Sequence, residues 1–313
     1  MRPVHYSPNY WKTQKMKSAY LIGMLAVTVL FHNACNTKSR NSESTKVSDS
    51  LTVLSPYLGQ KPPGLIPEIF APGFVSTDAL EVEGAFAPDM KEFYFIRQEI
   101  GEKSKSYVIQ FKDGSWTEAI ERPSSEGEVF ISTDGKTMHL GNTYRERTAM
   151  GWSDEKRLAP LFDEYPIMRL TASSSGTYVF DVRDSIGTIR YSRLVEGQHR
   201  KPVAFGPQVN SGIYTAHPFI APDESYIIWD STRDEGYGAS DLYISFRQHD
   251  GSWGAAINMG ENINTEFEDS YGSVTSDGKY FIFQTINFGE SIAESTANIY
   301  WVDAQIIEAL KPK

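Results

Sequence analysis

The chain has 313 residues, enough for one large all-β domain or two smaller ones, and its 40 acidic against 30 basic residues give a net charge of -10. That balance argues against a nucleic-acid partner, which needs a basic face, and no block of basic residues occurs within residues 80–303. Cys35 is the only cysteine, so no intrachain disulfide can form and strand pairing has to close the fold.

The first 35 residues differ from the rest. Arg2, Lys12, Lys15 and Lys17 precede the apolar run 19–31, and no acidic residue occurs before Glu43. This pattern is that of a signal peptide, with an apolar part too short for a membrane span. Met16 opens a more conventional leader than Met1 does. Cys35 follows the apolar run behind the small residue Ala34, with His32 in place of the usual aliphatic residue. The arrangement resembles a bacterial lipoprotein signal, which implies lipid attachment at Cys35 and a place in the cell envelope, in the periplasm or at the outer membrane. Residues 36–53 are mostly Ser, Thr, Asn and charged, a composition that cannot bury enough apolar surface to fold, and read as a tether.

From residue 54 to 303 the chain repeats. Short turns centred on Asp89, Asp134, Ser175, Asp223 and Asp277 each separate two strand-like runs, at intervals of 45, 41, 48 and 54 residues. Such a period predicts a β-propeller with one four-stranded blade per repeat. Pro88 and Pro222 preset the first corner of their turns, and Gly135, Gly176 and Gly278 supply the positive φ that the others need. The fourth repeat is the clearest: inner strand 218–221, second strand 226–229, third strand 241–246 and an outer strand from Trp253 to about Met259. The tetrapeptide Asp-Gly-Ser-Trp opens that outer strand at 250–253 and recurs in the first repeat at 113–116. The fifth repeat has strands near 271–275, 279–284 and 297–302 but no fourth. The segment 66–77 parallels 253–265, so an N-terminal strand is expected to complete the last blade. The count is five blades, with six as the alternative, and residues 304–310 could form two helical turns.

The Asp-Gly-Lys turns at 134–136 and 277–279, the stretch from Asp230 through Arg233 to Tyr243, and the run from Asn264 to Asp269 resemble the TolB-type, WD-like propeller repeats of bacterial envelope proteins. The resemblance covers nearly all of 80–303. It implies a propeller in the envelope that acts mostly as a binding or assembly module, although some related propellers act on sugars.

Six residues before each turn centre stand Glu83, Glu128, Arg169, His217 and Tyr271, and the alignment places them as a ring at the channel mouth. Glu81, Glu126 and Asp269 lie two places further back, and Arg97, Asn142, Arg183 and Arg233 mark the ends of second strands on the same face. Such convergence is the default ligand site of a concave fold. Paired across a narrow channel, Glu83 and Glu128 with Arg169 would equally form a purely structural network. The first functional expectation is a non-catalytic module that recognises a saccharide, a peptide or another envelope protein and needs no cofactor. The alternative is a glycoside hydrolase or lyase using Glu83 and Glu128 as paired carboxylates. A metal held by His217 with those glutamates is a weaker reading, because its spacing is inferred across repeats. Gly236-Tyr-Gly238 precedes no helix and is no dinucleotide fingerprint, and the sequence holds no Gly-x-Ser-x-Gly elbow or phosphate loop. Packing is the expected role of Trp116 and Trp253.

Overall fold

A computed structural model describes residues 57–123 and 127–312, which belong to the compact unit Val53–Lys313. The leader, Cys35, the tether and Glu126 lie outside the described residues. The fold is all-β apart from the short helix Gln305–Ala309 and two single turns of 3-10 helix. No helix among the described residues is long and apolar enough to cross a membrane.

All five predicted turns are present; four close by the same pair of backbone bonds, and the third, from Ser173 to Thr177, is one residue shorter. Asp134 and Asp277 accept the N–H two residues on, which is how a short carboxylate braces a bend. The glycines at 135, 176 and 278 have φ of 72°, 81° and 71°. Met90 and Glu224 occupy the same turn position at 58° and 61° without that freedom.

Antiparallel meanders follow each turn. In the fourth repeat Tyr214–Ile220 pairs with Tyr226–Thr232, which pairs with Asp241–Phe246, and that strand pairs with Ile257–Asn258. The predicted inner strand was four residues too late at its start, and the outer strand is shorter than the predicted 253–259, because its first residues leave the ladder for a loop. In the last repeat Glu268–Val274, Tyr280–Asn287 and Thr296–Asp303 pair in order, and the fourth place is taken by Glu68–Ile69 from the N-terminal side, with Glu68 opposite Trp301 and Ile69 opposite Tyr300. The parallel drawn between 66–77 and 253–265 extends to side chains. Thr77 gives its N–H and hydroxyl to Glu81, and Thr265 gives its own pair to Asp269.

Second and third strands alternate apolar residues into cores that the repeats share. Where the N-terminal segment meets the first and last repeats, Phe70 is fully buried and packs edge-on to Trp301 at 5.3 Å, with Phe93 at 4.8 Å and Phe86 at 5.5 Å. Burying such a ring contributes on the order of 1.5–3 kcal/mol by area alone. Asn264 and Asn210 add polar tethers of one design, each donating to and accepting from the backbone of a third-strand residue, Leu242 and Ile189 respectively.

Because Phe70 fastens the N-terminal strand to both end repeats, Phe70→Ala should cost about 3–5 kcal/mol. Urea unfolding should show this as an earlier midpoint, and a loss under 1 kcal/mol would mean that the seam does not depend on this ring.

Candidate functional site

The inner strands carry a bulge at one repeated place. Two residues oppose one between Val82 and Ala85, Ile167 and Leu170, Ala216 and Phe219, and Ser270 and Ser273. Glu83, His217 and Tyr271 are the first bulge residues of their strands, with φ of 58°, 48° and 60°. Left-handed backbone costs a side-chain-bearing residue roughly 1–2 kcal/mol, so three repeats hold the same strain at the same place. In two of the three the next residue is a glycine that packs closely, whereas Pro218 follows His217. A Cβ on Gly84 would lie 2.9 Å from Phe93, and one on Gly272 would lie 2.9 Å from Leu242 and Phe281.

What holds three of the four bulges is a polar side chain on a second strand of another repeat. His217 N donates to Asp181 Oδ2 at 2.9 Å, Tyr271 N to Asp230 Oδ1 at 3.2 Å, and Glu83 N to Gln284 Oε1 at 2.7 Å, 201 residues away in sequence. Asp181 also takes the N–H of Arg169 in its own repeat. These three partners were absent from the sequence expectation. A signal was there for Asp181, which interrupts the apolar run 178–182, whereas Asp230 stood just past the predicted second strand 226–229 and read as the start of a polar loop.

Two features of the predicted ring are corrected. Glu83, His217 and Tyr271 lie midway along seven-residue strands rather than at the mouth, since six residues back from the turn reaches only the fourth residue of the strand. In the third repeat the ladder between bulge and turn is one residue pair longer, so Met168 takes the place of Glu83, His217 and Tyr271, and Arg169 is second in its bulge.

The side chains nevertheless converge. His217 Nδ1 donates to Asp230 Oδ1 at 2.8 Å and its Nε2 faces Glu128 Oε1 at 3.5 Å, forming an Asp230–His217–Glu128 relay. The Arg169 guanidinium lies 3.5 Å from the Tyr271 ring centre, and the Tyr271 hydroxyl reaches across to the Val129 carbonyl. Among the described residues Arg169 makes no ion pair with Glu83 or Glu128, so the network expected on structural grounds is not the one present. Arg169 is 1% exposed with Nε and Nη1 unpartnered, and Glu128 Oε2 is likewise unpartnered in a side chain only 9% exposed. Glu83 is partly exposed, and Arg183 lies within its electrostatic reach. Arg97 and Arg233 are engaged elsewhere: Arg97 pairs with Glu81 at 2.8 Å and bonds the Phe74 and Val75 carbonyls, while Arg233 lies 4.2 Å over Tyr243. Asn142 bonds the backbone at Phe162, Tyr165 and Ile167.

Burial pushes the Glu128 carboxyl up to about 8, with the nearby His217 opposing and Glu83 and Asp181 adding to the rise. Burial alone would lower His217, but Asp230 and Glu128 outweigh it and carry the imidazole up to about 10. Glu83 and Asp181 are also raised, by burial first. The cluster therefore sets an imidazole that favours its protonated form beside a carboxyl that burial pushes toward its neutral form, an arrangement able to donate to, accept from and exchange protons with a polar group. On the turn side, residues of all five inner strands, Arg169 among them, enclose a cavity of about 40 Å3, room for a few waters but too little for a sugar ring. Among the described residues no group of three or more His, Cys, Asp and Glu is placed so that it could hold a metal ion.

No protein-family model and no curated protein matches the chain. Among solved structures it is similar to TolB from Acinetobacter baumannii at 12% identity, with a TM-score of 0.42 over 72% of this chain and 57% of that one. The chain thus spans less than two thirds of that protein. A putative 6-phosphogluconolactonase from Bacteroides fragilis is 15% identical, with a TM-score of 0.35 over 67% of this chain and 71% of that one. The NanB sialidase from Streptococcus pneumoniae, as its K499G mutant, is 11% identical, with a TM-score of 0.38 over 64% of this chain and 36% of that one.

A group whose value is raised on folding stabilises the fold while it is protonated. The contribution of His217 is full below pH 6.5 and lost as pH rises through about 10, and that of Glu128 is full below 4.5 and lost through about 8. The thermal midpoint should therefore fall as pH rises toward 10, and His217→Gln combined with Glu128→Gln should flatten that fall. An unchanged slope in the double variant would place the alkaline loss in other groups.

Proposed function

We propose that this protein is an envelope-anchored, non-catalytic recognition module, a closed five-bladed propeller that takes a polar group of a saccharide, peptide or protein partner between its inner strands. The observation that carries the reading is the pair of unpartnered groups, Glu128 Oε2 and the Arg169 N–H groups, buried beside the partly exposed Glu83. Buried polar atoms without partners cost about 1–3 kcal/mol each, a cost that a ligand offering both a donor and an acceptor would remove. Support for five blades comes from the pairing of Glu68–Ile69 with the last repeat and from contacts of each inner strand with the next, the fifth with the first included. The Cys35 leader pattern supports the anchor.

The alternative is a carbohydrate-active enzyme using Glu83 and Glu128. The Glu128–His217–Asp230 relay favours it, because a carboxyl held at about 8 can act as an acid at neutral pH. Hydrolysis also needs an ionised partner carboxylate, and burial raises Glu83 as well, so binding is the better supported of the two.

Thermal unfolding screened against envelope glycans and peptides should reveal a stabilising compound, by about 2.7 kcal/mol at a hundredfold excess over Kd. Glu83→Gln with Glu128→Gln should weaken that binding about tenfold. Turnover of chromogenic glycosides that the same double variant abolishes, with affinity kept, would overturn the binding reading in favour of the enzyme. Separately, labelled fatty acid fed to cells should enter the protein and be absent from Cys35→Ser, and equal labelling of both would remove Cys35 as the anchor.

A further inference from the structure

A cleft of about 230 Å3 opens between the third and fourth repeats, lined by residues distinct from the polar cluster. Val179 and Ile220 form its floor, both buried. Its apolar wall is three rings, with Phe205 edge-on to Tyr191 at 5.0 Å and to Trp253 at 5.9 Å. Tyr191 and Trp253 remain partly exposed there. Trp253 belongs to the second copy of Asp-Gly-Ser-Trp. In the first copy Trp116 is 6% exposed inside the core around Phe70 and Trp301, so one tetrapeptide yields a packed indole in one repeat and a cleft-facing indole in the other.

The polar side is built at a strained position. Glu224 stands at φ 61° where three other repeats have glycine. It accepts Ser173 Oγ at 2.9 Å and Ser175 Oγ on Oε1, while Oε2 meets Arg247 Nη1. Burial opposes its charge, but the hydroxyls of Ser175, Thr177 and Ser173 and the Arg247 guanidinium hold its carboxyl down at about 2. Glu224 thereby neutralises Arg247 and fixes it in place, and a preset donor loses little freedom when a ligand arrives. Gln208, which both donates and accepts, and the exposed Arg193 complete the rim.

We propose that this cleft is a second binding site, for a single neutral sugar ring. The apolar C–H face of the ring lies against Trp253 and Tyr191, and its hydroxyls meet Arg247, Gln208 and Arg193. The size agrees, since the cleft falls below the roughly 300–1,000 Å3 typical of drug-sized ligands. Glu224 neutralises Arg247, so an anion would find its charge contact at the rim Arg193 and not beside the rings' inner donor.

The test uses the full-length protein in mild detergent, titrated calorimetrically with glucose, galactose, mannose, xylose and N-acetylglucosamine, and with sulfate and glucuronate as anionic probes. At least one neutral sugar should bind. Trp253→Ala should weaken it about tenfold, whereas Trp253→Phe, which keeps a ring, should stay within about threefold of the parent. Arg193→Ala, at an exposed position that does not bear on folding, should weaken it severalfold and covers the case in which Trp253→Ala fails to fold. No binding across the neutral panel, tighter binding of sulfate or glucuronate, or affinity unaffected by both Trp253→Ala and Arg193→Ala would each overturn the proposal.

Discussion

The rest of the structure depends on a hydrogen bond from backbone to side chain that steps from one repeat to the next. Asp181, Asp230 and Gln284 sit on second strands and take the N–H of His217, Tyr271 and Glu83 on inner strands of other repeats. A β-bulge leaves an N–H outside the ladder, and such a group in a buried place needs a partner. Each tether meets that need, holds the left-handed backbone of the bulge and couples neighbouring repeats. The same bulge turns the side chains of Glu83, His217 and Tyr271 toward their counterparts.

Charge is the second consequence. The carboxylates that hold the bulges and those on the inner strands share one low-dielectric region with few cations. Burial favours the neutral forms of Asp181, Glu83 and Glu128, while His217, within reach of Asp230 and Glu128, gains a proton. Removing one partner from such a set leaves another uncompensated, so the groups act as a unit. At the outer cleft the pattern differs. Glu224 stays ionised because three hydroxyls and a guanidinium serve it, and it binds the third repeat to the fourth.

Much of the fold was legible because turns obey local rules. The Asp-Gly turns at 134–135 and 277–278 need only their own residues to bend, and the third strand Asp241–Phe246 was read to the residue from the polar loop before it. The pairing of Glu68–Ile69 with the far end of the chain was also legible, because a repeat lacking its fourth strand implies a donor elsewhere. The site was legible as membership but not as geometry. Glu83, Glu128, Arg169, His217 and Tyr271 do come together, whereas Arg97 and Arg233 are drawn off by Glu81 and Tyr243, partners that spacing alone does not reveal.

By itself the sequence determined the strand period, the turn chemistry and the identity of the polar residues on the inner strands, since each follows from side chains acting on their own or adjacent backbone. Tertiary structure decided how deep those residues sit, which carboxylates hold which N–H groups, where protons reside, and that Trp253 lines a cleft while Trp116 is packed away. Those properties depend on distances between residues 36 to 201 positions apart, and burial, electrostatic field and cavity shape exist only once the repeats have packed.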